Sequence, residues 1–186
     1  MIGFFAVQDG LKESSTEAIA NLRSQGIKTI MLTGDNKTVA EEIAKQVGID
    51  EVRAEVMPED KVNIIKELQK KGEYVAMIGD GINDAPAIAQ AQVGIAMGTG
   101  TDVAMESGDV VLVKGDLLKA SESIALSEAT LKNIKQNLFW AFIYNTVGVP
   151  IAALGFLNPK ISAAAMAFSS ISVVLNAMRL KRIKLK

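Results

Sequence analysis

The chain has 186 residues, enough for one ordinary domain with additional segments, and its formal net charge is −1. This balance provides no basic field of the kind that binds nucleic acid. The sequence contains no cysteine and no histidine, which excludes thiol catalysis, disulfide bonds and the common zinc sites. Any bound hard metal must therefore use oxygen ligands. The segment from Met1 to Val7 lacks the basic start of a signal peptide, so none is expected.

Short apolar segments alternate with amphipathic segments over the first two thirds of the chain. Strands are predicted at 2–7, 27–32, 51–56, 74–78, 93–97 and 110–113. The segments between them predict helices that begin near 15, 37, 58, 86 and 103, and a longer helix over 116–136. This alternation, with short connections, predicts an α/β fold built on a parallel sheet that is covered on both faces.

The apolar periodicity of three of these helices also predicts which side chains face the core. The predicted inward positions are Ala18, Ile19, Leu22, Val39, Ala40, Ile43, Ala44, Val47, Val62, Ile65 and Leu68.

The stretch from Met77 to Pro86 begins at the end of a predicted buried strand, 74–78. A strand that leads into such a loop places Asp80 and Asp84 at the carboxyl end of the sheet, where open α/β folds bind their ligands. Two carboxylates a few residues apart, among glycines, are typical of a Mg²⁺ site whose other partner is phosphate. The alternative is an ordinary surface turn, in which Asp, Asn and Gly are common.

Three loops at strand-to-helix junctions are expected to meet at one edge of the sheet. They are Thr33-Gly34-Asp35, Pro58–Lys61 and Gly79–Asp84. The Thr33 hydroxyl and the Gly34 N–H are at a predicted helix N-terminus, Lys61 offers a positive charge, and the aspartates offer metal ligands. Together they are the parts of a phosphoryl-transfer site, although each alone is equally consistent with a helix cap, a solvated lysine or a turn.

Two stretches near the end of the chain carry no charge. The first covers 138–157 and the second begins at Ile161 and ends at Met178. Each is long enough for a membrane-spanning helix, and the basic residues that follow Met178 predict that this end is cytoplasmic. Two crossings would place both ends of the chain on the cytoplasmic side. The alternative is a buried helical hairpin of a soluble protein, but neither stretch has the polar stripe of a soluble surface helix.

Four segments together resemble the phosphorylation-domain signatures of P-type ATPases of the heavy-metal branch, most of all the copper exporters. They are Met31–Asn36, Pro58–Lys61, Gly79–Pro86 and Met97–Asp102. The resemblance implies a haloacid-dehalogenase-like, Rossmann-like α/β fold followed by a two-helix transmembrane hairpin.

The resemblance also implies roles for the loop residues. By this analogy Thr33 and Gly34 bind the phosphoryl oxygens, with Asp35 in the same catalytic segment. Lys61 neutralises the phosphate. Asp80 ligates Mg²⁺, supported by Asn83 and Asp84.

The same resemblance implies a domain organisation and an environment. Residues 1–9 would end a nucleotide-binding domain, 10–118 would form the phosphorylation domain, and 119–137 a connecting helix. Transmembrane helices at 138–157 and 161–180 and a basic tail at 181–186 would follow. The implied partners are the rest of the pump, with its actuator, nucleotide-binding and other transmembrane segments, and the lipid bilayer of the plasma membrane. Mg²⁺ and ATP are the implied cofactors and Cu(I) the transported ion.

The phosphorylated aspartate of the family lies in an Asp-Lys-Thr-Gly-Thr segment, and this sequence has none. The chain alone is therefore expected to be inactive, as part of a longer pump. Asp9 follows the first predicted strand, so a membrane-anchored phosphatase that uses Asp9 is one alternative. A non-catalytic, pump-like interaction protein is another.

A candidate metal site lies in the two uncharged stretches. Tyr144 and Asn145 lie near the middle of the first, and Met166 and Ser170 lie one turn apart in the second. Methionine sulfur suits Cu(I), whereas Asn, Ser and Met also serve simply to pack membrane helices. The resemblance favours the metal site, because copper exporters carry a Tyr-Asn pair and a Met-x-x-Ser-Ser pattern here. Their Cys-Pro-Cys helix is absent, so such a site would be at most half built.

Overall fold

The computed structural model describes residues 11–98, 102–155 and 159–182. The chain divides into two compact units, one through Ser121 and one from Glu122. The first unit contains the following elements in chain order: α1 (Glu13–Ser24), β1 (Ile30–Leu32), α2 (Lys37–Val47), β2 (Glu51–Arg53), α3 (Pro58–Lys70), β3 (Ala76–Gly79), a 3-10 turn (Ile82–Asp84), α4 (Ala85–Gln90), β4 (Val93–Met97), α5 (Asp102–Ser107) and β5 (Val110–Leu112).

The strands form two parallel ladders, which confirms the predicted α/β class. The single sheet that the alternation predicts is not seen among the described strands, because no ladder joins β1–β2 to β3–β4–β5. β1 pairs with β2 in a register that places Met31 opposite Val52. β4 pairs with β3 on one side and with β5 on the other. Within the described part of the chain, β1 and β3 each have a hydrogen-bonded neighbour on one edge only. The first predicted strand, 2–7, lies outside the described residues.

The helix boundaries follow local signals in the sequence. Asn36 caps α2, because its Oδ1 accepts a hydrogen bond from the Val39 N–H at 3.0 Å, and Gly48 ends the helix in the left-handed region at φ 82°. Pro58 occupies the first turn of α3, where its missing N–H costs nothing. Such caps explain why the predicted starts of both helices are confirmed.

Several strands are shorter than the sequence predicts, whereas β4 has the predicted bounds. The segment predicted as a strand over 51–56 is extended only through Arg53, because Glu55 turns into the left-handed region at φ 56°. The turn lets the Glu55 N–H donate to the Asp35 carbonyl at 2.9 Å. The prediction was wrong at this end of the strand because the backbone here forms a hydrogen bond to the loop after β1 instead of continuing the strand.

Most predicted core positions of the three amphipathic helices are confirmed. The buried ones are Ala18, Ile19, Leu22, Ala40, Ala44, Val47 and Ile65. Ile43, Val62 and Leu68 are half-buried. Val39 is 37% exposed, so its predicted place in the core is wrong; it lies in the first turn of α2, at the edge of the packed face.

The second unit is built from two helices. α6 (Leu117–Ala153) is one continuous helix through the predicted connecting segment and much of the first uncharged stretch. α7 (Pro159–Arg179) begins two residues before the helix predicted from 161, because proline suits the first helical position. A 3-10 turn (Leu180–Arg182) follows. None of the helices in the described ranges is long and apolar enough to cross a membrane.

Candidate active site

The loop after β1 is closed by two hydrogen bonds between Thr33 and Asp35. The Thr33 hydroxyl donates to Asp35 Oδ2 at 2.8 Å, and the Asp35 N–H donates to Thr33 Oγ1 at 3.1 Å. These bonds fix the position of the hydroxyl in front of α2. Gly34 lies exposed between the two residues, so its backbone N–H is open to a ligand at a helix N-terminus.

This first loop is also attached to the chain that leads into α3. The Thr33 N–H donates to the Arg53 carbonyl at 3.1 Å, and the Val56 N–H donates to the Thr33 carbonyl at 3.0 Å. Val56 is nearly buried at 9% exposure, and two residues later Pro58 begins α3. The first two loops of the candidate site are therefore connected by backbone hydrogen bonds.

A buried ion pair joins the second loop to the third. Lys61 Nζ lies 2.6 Å from Asp84 Oδ1, and only 16% and 12% of the two side chains are exposed. A charged hydrogen bond removed from water in this way is short and strongly oriented. Lys61 and Asp84 were predicted to belong to one site, and the structure brings them into direct contact.

Gly79 gives this pair its space. A Cβ added at Gly79 would lie 2.6 Å from Asp84 Cβ and 2.9 Å from Asp84 Oδ2. Real Cβ atoms do not approach this closely, so only glycine at position 79 allows Asp84 to lie against β3. The sequence pattern did not distinguish this glycine from Gly81, where an added Cβ would meet nothing closer than 3.8 Å.

Asp80 and Asn83 differ from Asp84 in their surroundings. Both are exposed, whereas Asp84 is buried. The described residues contain no group of three or more His, Cys, Asp or Glu side chains that would hold a metal by themselves. The oxygen donors present here nevertheless suit Mg²⁺, which commonly takes one or two carboxylates and completes its shell with water and phosphate. Asp80 is the open carboxylate, and one oxygen of Asp84 is already bound to Lys61.

A groove of about 400 Å³ lies beside the pair, between the start of α3 and the turn before α4. Its lining residues are Pro58, Glu59, Val62, Asn63, Ile82, Asn83 and Pro86. The second and third loops thus share one concave surface. Among the described contacts, Thr33 is connected to the chain before α3 by backbone hydrogen bonds with Arg53 and Val56. It makes no direct hydrogen bond to Lys61 or Asp80.

Several carboxyl groups elsewhere in the first unit have lowered pKa values. The backbone N–H of Thr29 and then its hydroxyl lower the pKa of Asp50, and Arg23 adds to this effect. The Ser14 hydroxyl, followed by the Leu118 N–H, lowers the pKa of Asp116. These hydrogen bonds fasten loops of the unit and lie outside the candidate site.

The described hydrogen bonds of the predicted copper residues stay within their own helices. Asn145 Nδ2 donates to the Ala141 carbonyl at 2.8 Å, and the Ser170 hydroxyl donates to the Met166 carbonyl at 3.2 Å. Each polar side chain thus bonds to its own helix. Met166 is 73% exposed, and Tyr144 is half-buried. Sequence patterns missed a separate set of three asparagines, Asn133, Asn137 and Asn176, that link α6 to α7.

A family model described as a haloacid dehalogenase-like hydrolase matches residues 1–92. The chain also resembles curated proteins over nearly its whole length. It is 57% identical to the "Copper-exporting P-type ATPase" of Bacillus subtilis over 182 residues, covering 98% of this chain and 23% of that protein. It is 57% identical to the "Probable copper-importing P-type ATPase A" of Enterococcus hirae, covering 100% of this chain and 26% of that protein. The chain therefore spans about a quarter of the length of these relatives.

Solved structures give the same picture. A zinc-transporting PIB-type ATPase in an E2·Pi state superposes with a TM-score of 0.82 at 39% identity, over 93% of this chain and 28% of that one. A 3-deoxy-D-manno-octulosonate 8-phosphate phosphatase from Moraxella catarrhalis superposes with a TM-score of 0.52 at 22% identity, over 60% of this chain and 67% of that one. The second likeness concerns the fold alone. These likenesses support a haloacid-dehalogenase-like α/β fold for the first unit.

Proposed function

We propose that this chain is part of an ATP-driven P-type pump that exports Cu(I) across the membrane. The observation that carries the proposal is the buried Lys61–Asp84 pair, which joins two of the three predicted phosphate and Mg²⁺ loops. The 57% identity to copper P-type ATPases supports it over almost the whole chain. In this proposal the first unit supplies the phosphate and Mg²⁺ loops, and the second unit supplies part of the metal pathway.

The proposed roles follow from the surroundings of each side chain. Thr33 turns its single hydroxyl hydrogen from Asp35 to a phosphoryl oxygen when phosphate binds, and the Gly34 N–H donates to another. Lys61 neutralises charge on the phosphate, and Asp84 holds the ammonium group in place. Asp80 is the principal Mg²⁺ ligand, with Asn83 and the second oxygen of Asp84 in support. Bound Mg²⁺ supplies charge neutralisation at the phosphoryl group.

The nucleophile would come from a strand of the pump outside this sequence. The chain has no Asp-Lys-Thr-Gly-Thr segment, and within the described residues β1 and β3 each pair on one edge only. Since unpaired strand edges readily accept a further strand, these edges offer it a place. An aspartate at the end of such a strand would enter between the Thr33 loop and the Asp80 loop. ATP would be bound mainly by the nucleotide-binding part of the pump.

The second unit is proposed to lie in a bilayer, with both ends of the chain cytoplasmic and the plasma membrane as its location. Its large apolar side chains point outward, among them Phe142 at 64%, Val149 at 67% and Phe168 at 63% exposure. The partly covered face of α6 instead carries polar and small residues, which is the distribution that helix pairs adopt in lipid and the reverse of that in water. Arg179 and Lys181 fit a cytoplasmic end.

The proposed cargo is Cu(I), with Tyr144, Asn145, Met166 and Ser170 contributing to a site that other membrane helices complete. The soft sulfur of Met166 favours Cu(I) over a hard cation, and its exposure leaves it open to a neighbouring helix. The identity to copper pumps, 57%, exceeds the 39% identity to the zinc-transporting structure. The direction proposed is export, because the Tyr-Asn and Met-x-x-Ser-Ser patterns resemble those of copper exporters.

A chimera tests this proposal. The upstream region of the Bacillus subtilis relative is joined to this chain and reconstituted in vesicles, and acid-stable phosphorylation by radiolabelled ATP is measured with and without Cu(I). We expect Cu(I)-dependent phosphoenzyme in the chimera and none in this chain alone. Lys61→Ala should lower phosphoenzyme turnover about 10²-fold or more, whereas Lys66→Ala, an exposed lysine on the same helix, should not.

Two results would contradict the proposal. The first is acid-stable phosphorylation of this chain alone, since it would place the nucleophile within the sequence, and loss of that label in Asp9→Asn would identify the phosphatase alternative. The second is a chimera that folds and binds ATP but forms no phosphoenzyme with Cu(I) while forming it with Zn²⁺.

A further inference from the structure

The helices α6 and α7 are joined by a closed circuit of amide hydrogen bonds. Asn176 Nδ2 donates to Asn137 Oδ1 at 2.9 Å, and Asn137 Nδ2 donates to Asn133 Oδ1 at 3.1 Å. Asn133 Nδ2 then donates to the backbone carbonyl of Asn176 at 2.8 Å, which returns the circuit to the residue where it began. Asn176 is buried, at 8% exposure, in a unit whose large apolar side chains are mostly exposed.

This circuit fixes how far one helix is slid along the other. Asn133 and Asn137 are one turn apart on α6, and both bond to Asn176, so Asn176 lies level with the position between them, Lys135. A slide of one residue moves each donor and acceptor by about 1.5 Å and breaks the circuit. Apolar contacts between the helices do not define such a register, because they are nearly the same after a small slide.

The register has a consequence for the candidate metal residues. Both helices rise by about 1.5 Å per residue, and they run in opposite directions from the circuit. Ten residues beyond Lys135 is Asn145, and ten residues before Asn176 is Met166. In an antiparallel helix pair held by this circuit, these two lie at the same level, as do Ala141 and Ser170. The circuit thus brings the Tyr144–Asn145 pair and Met166 to a common depth, although their side chains share no bond.

We propose that Asn133, Asn137 and Asn176 form a registry clamp that sets the depth of the Tyr144–Asn145 pair against Met166 and Ser170. They are positioning residues and do not touch the metal. The half-buried faces of the helices agree with this assignment, since Asn133, Asn137 and Tyr144 share the covered face of α6, and Ser169 and Asn176 share that of α7. A polar group inside a helix pair is known to select register in this way. The consequence for metal binding depends on the proposed function, whereas the register does not.

Disulfide cross-linking tests the clamp directly, because the chain contains no cysteine of its own. Ala141→Cys with Ser169→Cys reports the native register, since both positions are half-buried and almost level. Ala141→Cys with Val173→Cys reports a register shifted by about one turn. Each pair is placed in the full chain in lipid vesicles, and the initial rate of copper-phenanthroline oxidation is measured with and without Asn176→Leu.

We expect the native pair to cross-link at least tenfold faster than the shifted pair in the parent. In Asn176→Leu the native pair should cross-link at most about threefold faster than the shifted pair, because the rate of the shifted pair rises. Gln136→Leu, which removes an exposed amide beside the clamp, should leave the ratio unchanged. Asn133→Leu with Asn137→Leu should reproduce Asn176→Leu. A ratio that stays at the parental value in both clamp variants would overturn the proposal.

A second measurement separates this inference from the proposed function. Cu(I) affinity is determined by competition with a chromophoric chelator in the chimeric pump, with and without Asn176→Leu. We expect about 10- to 100-fold weaker binding, the usual cost of losing the groups that orient metal ligands. Absence of Cu(I) binding in the parent would refute the copper site while leaving the cross-linking result intact. Unchanged affinity despite a shifted register would refute only the link between the clamp and the metal.

Discussion

Lys61 Nζ and Asp84 Oδ1 lie 2.6 Å apart and largely out of contact with water, and this pair connects helix α3 to the turn after strand β3. A second lysine, Lys71, forms an ion pair with Glu67 at the same distance of 2.6 Å, but 58% and 51% of those side chains are exposed. The two pairs have the same N···O distance and differ in their exposure to solvent. They therefore separate the effect of burial from that of distance.

The first prediction concerns removal of one partner from each pair. Lys61→Met leaves the carboxylate of Asp84 buried without its partner, which should lower the free energy of unfolding by about 3–5 kcal/mol. Lys71→Met should lower it by less than about 1 kcal/mol, because an exposed pair contributes little. Urea denaturation of the full chain in detergent, monitored by far-ultraviolet circular dichroism, measures both. The double variant Lys61→Met with Asp84→Leu should recover part of the loss, and equal effects of the two lysine variants would contradict the burial argument.

The second prediction concerns the glycine beneath this pair. Gly79→Ala places a methyl group 2.6 Å from Asp84 Cβ, so either β3 or the carboxylate must move. We expect a loss of about 1–3 kcal/mol in the free energy of unfolding, typical of overpacking. Gly81→Ala is the matched control: its added methyl would lie 3.8 Å from the nearest atom, so stability should change by less than about 0.5 kcal/mol. Similar denaturation midpoints for the two variants would show that β3 adjusts without cost.

How much of this site the sequence predicts depends on the range of each interaction. The strand-to-helix junctions at Thr33, Lys61 and Asp80 were predictable from the alternation of strands and helices. That all three loops meet at one edge stays a prediction, since β1 and β3 belong to separate ladders in the described residues. The Thr33–Asp35 bonds span two residues, so the local pattern already favours them. The direct Lys61–Asp84 contact was not predictable. It depends on how deeply α3 packs against the turn at 82–84, and loop order along the chain does not encode that depth.

The second unit shows the same limit. The spacing of Asn133 and Asn137 places them on one face of α6, and this is visible in the sequence. Their partner Asn176 is 39 residues from Asn137, and hydrophobic periodicity does not define which turn of α7 it meets. The strand end at 56 was overpredicted for a related reason, since the predicted strand at 51–56 continues past the point where the Glu55 N–H donates to the Asp35 carbonyl.

The third prediction is a pH dependence of stability that arises from Asp50. Its carboxylate accepts hydrogen bonds from the Thr29 N–H at 2.9 Å and from the Thr29 hydroxyl at 2.8 Å, and these lower its pKa below the ordinary value of 3.8. A carboxyl group with a lowered pKa stabilises the folded state above its unfolded pKa. That stabilisation is lost as the pH falls through the folded pKa.

The difference in unfolding free energy between the parent and Asp50→Asn should therefore have its largest value at pH 6 and decrease steadily below about pH 4. Thr29→Val, which keeps the backbone donor and removes the hydroxyl, should shift the acid limb to higher pH. Denaturant titrations at intervals from pH 2.5 to 6 measure both. A difference that stays constant over this range would show that Asp50 contributes no proton-linked stability.

The fourth prediction tests the hydroxyl of Thr33 in the chimeric pump. Thr33→Ala should lower the rate of phosphoenzyme formation about 10²-fold, because it removes a donor placed to bind a phosphoryl oxygen. Thr33→Ser keeps the hydroxyl and its bonds to Asp35, so its rate should remain within about tenfold of the parent. Thr38→Ala, an exposed threonine on the next helix, provides the control. Equal loss in the alanine and serine variants would point to packing of the methyl group rather than to the hydroxyl.

The last prediction separates Asp80 from Asp84 by their requirement for Mg²⁺. Asp80 is exposed and lies at the carboxyl end of β3, whereas Asp84 is buried against Lys61. Because Asp80 is the proposed principal ligand, Asp80→Asn should raise the Mg²⁺ concentration that gives half-maximal phosphoenzyme in the chimera by about tenfold or more, with little change in the denaturation midpoint. Asp84→Asn should lower the midpoint as well, since it weakens a buried ion pair. If instead Asp80→Asn left the Mg²⁺ requirement at the parental value, the exposed carboxylate would not be a ligand, and the metal would have to be bound by Asp84 with its lysine displaced.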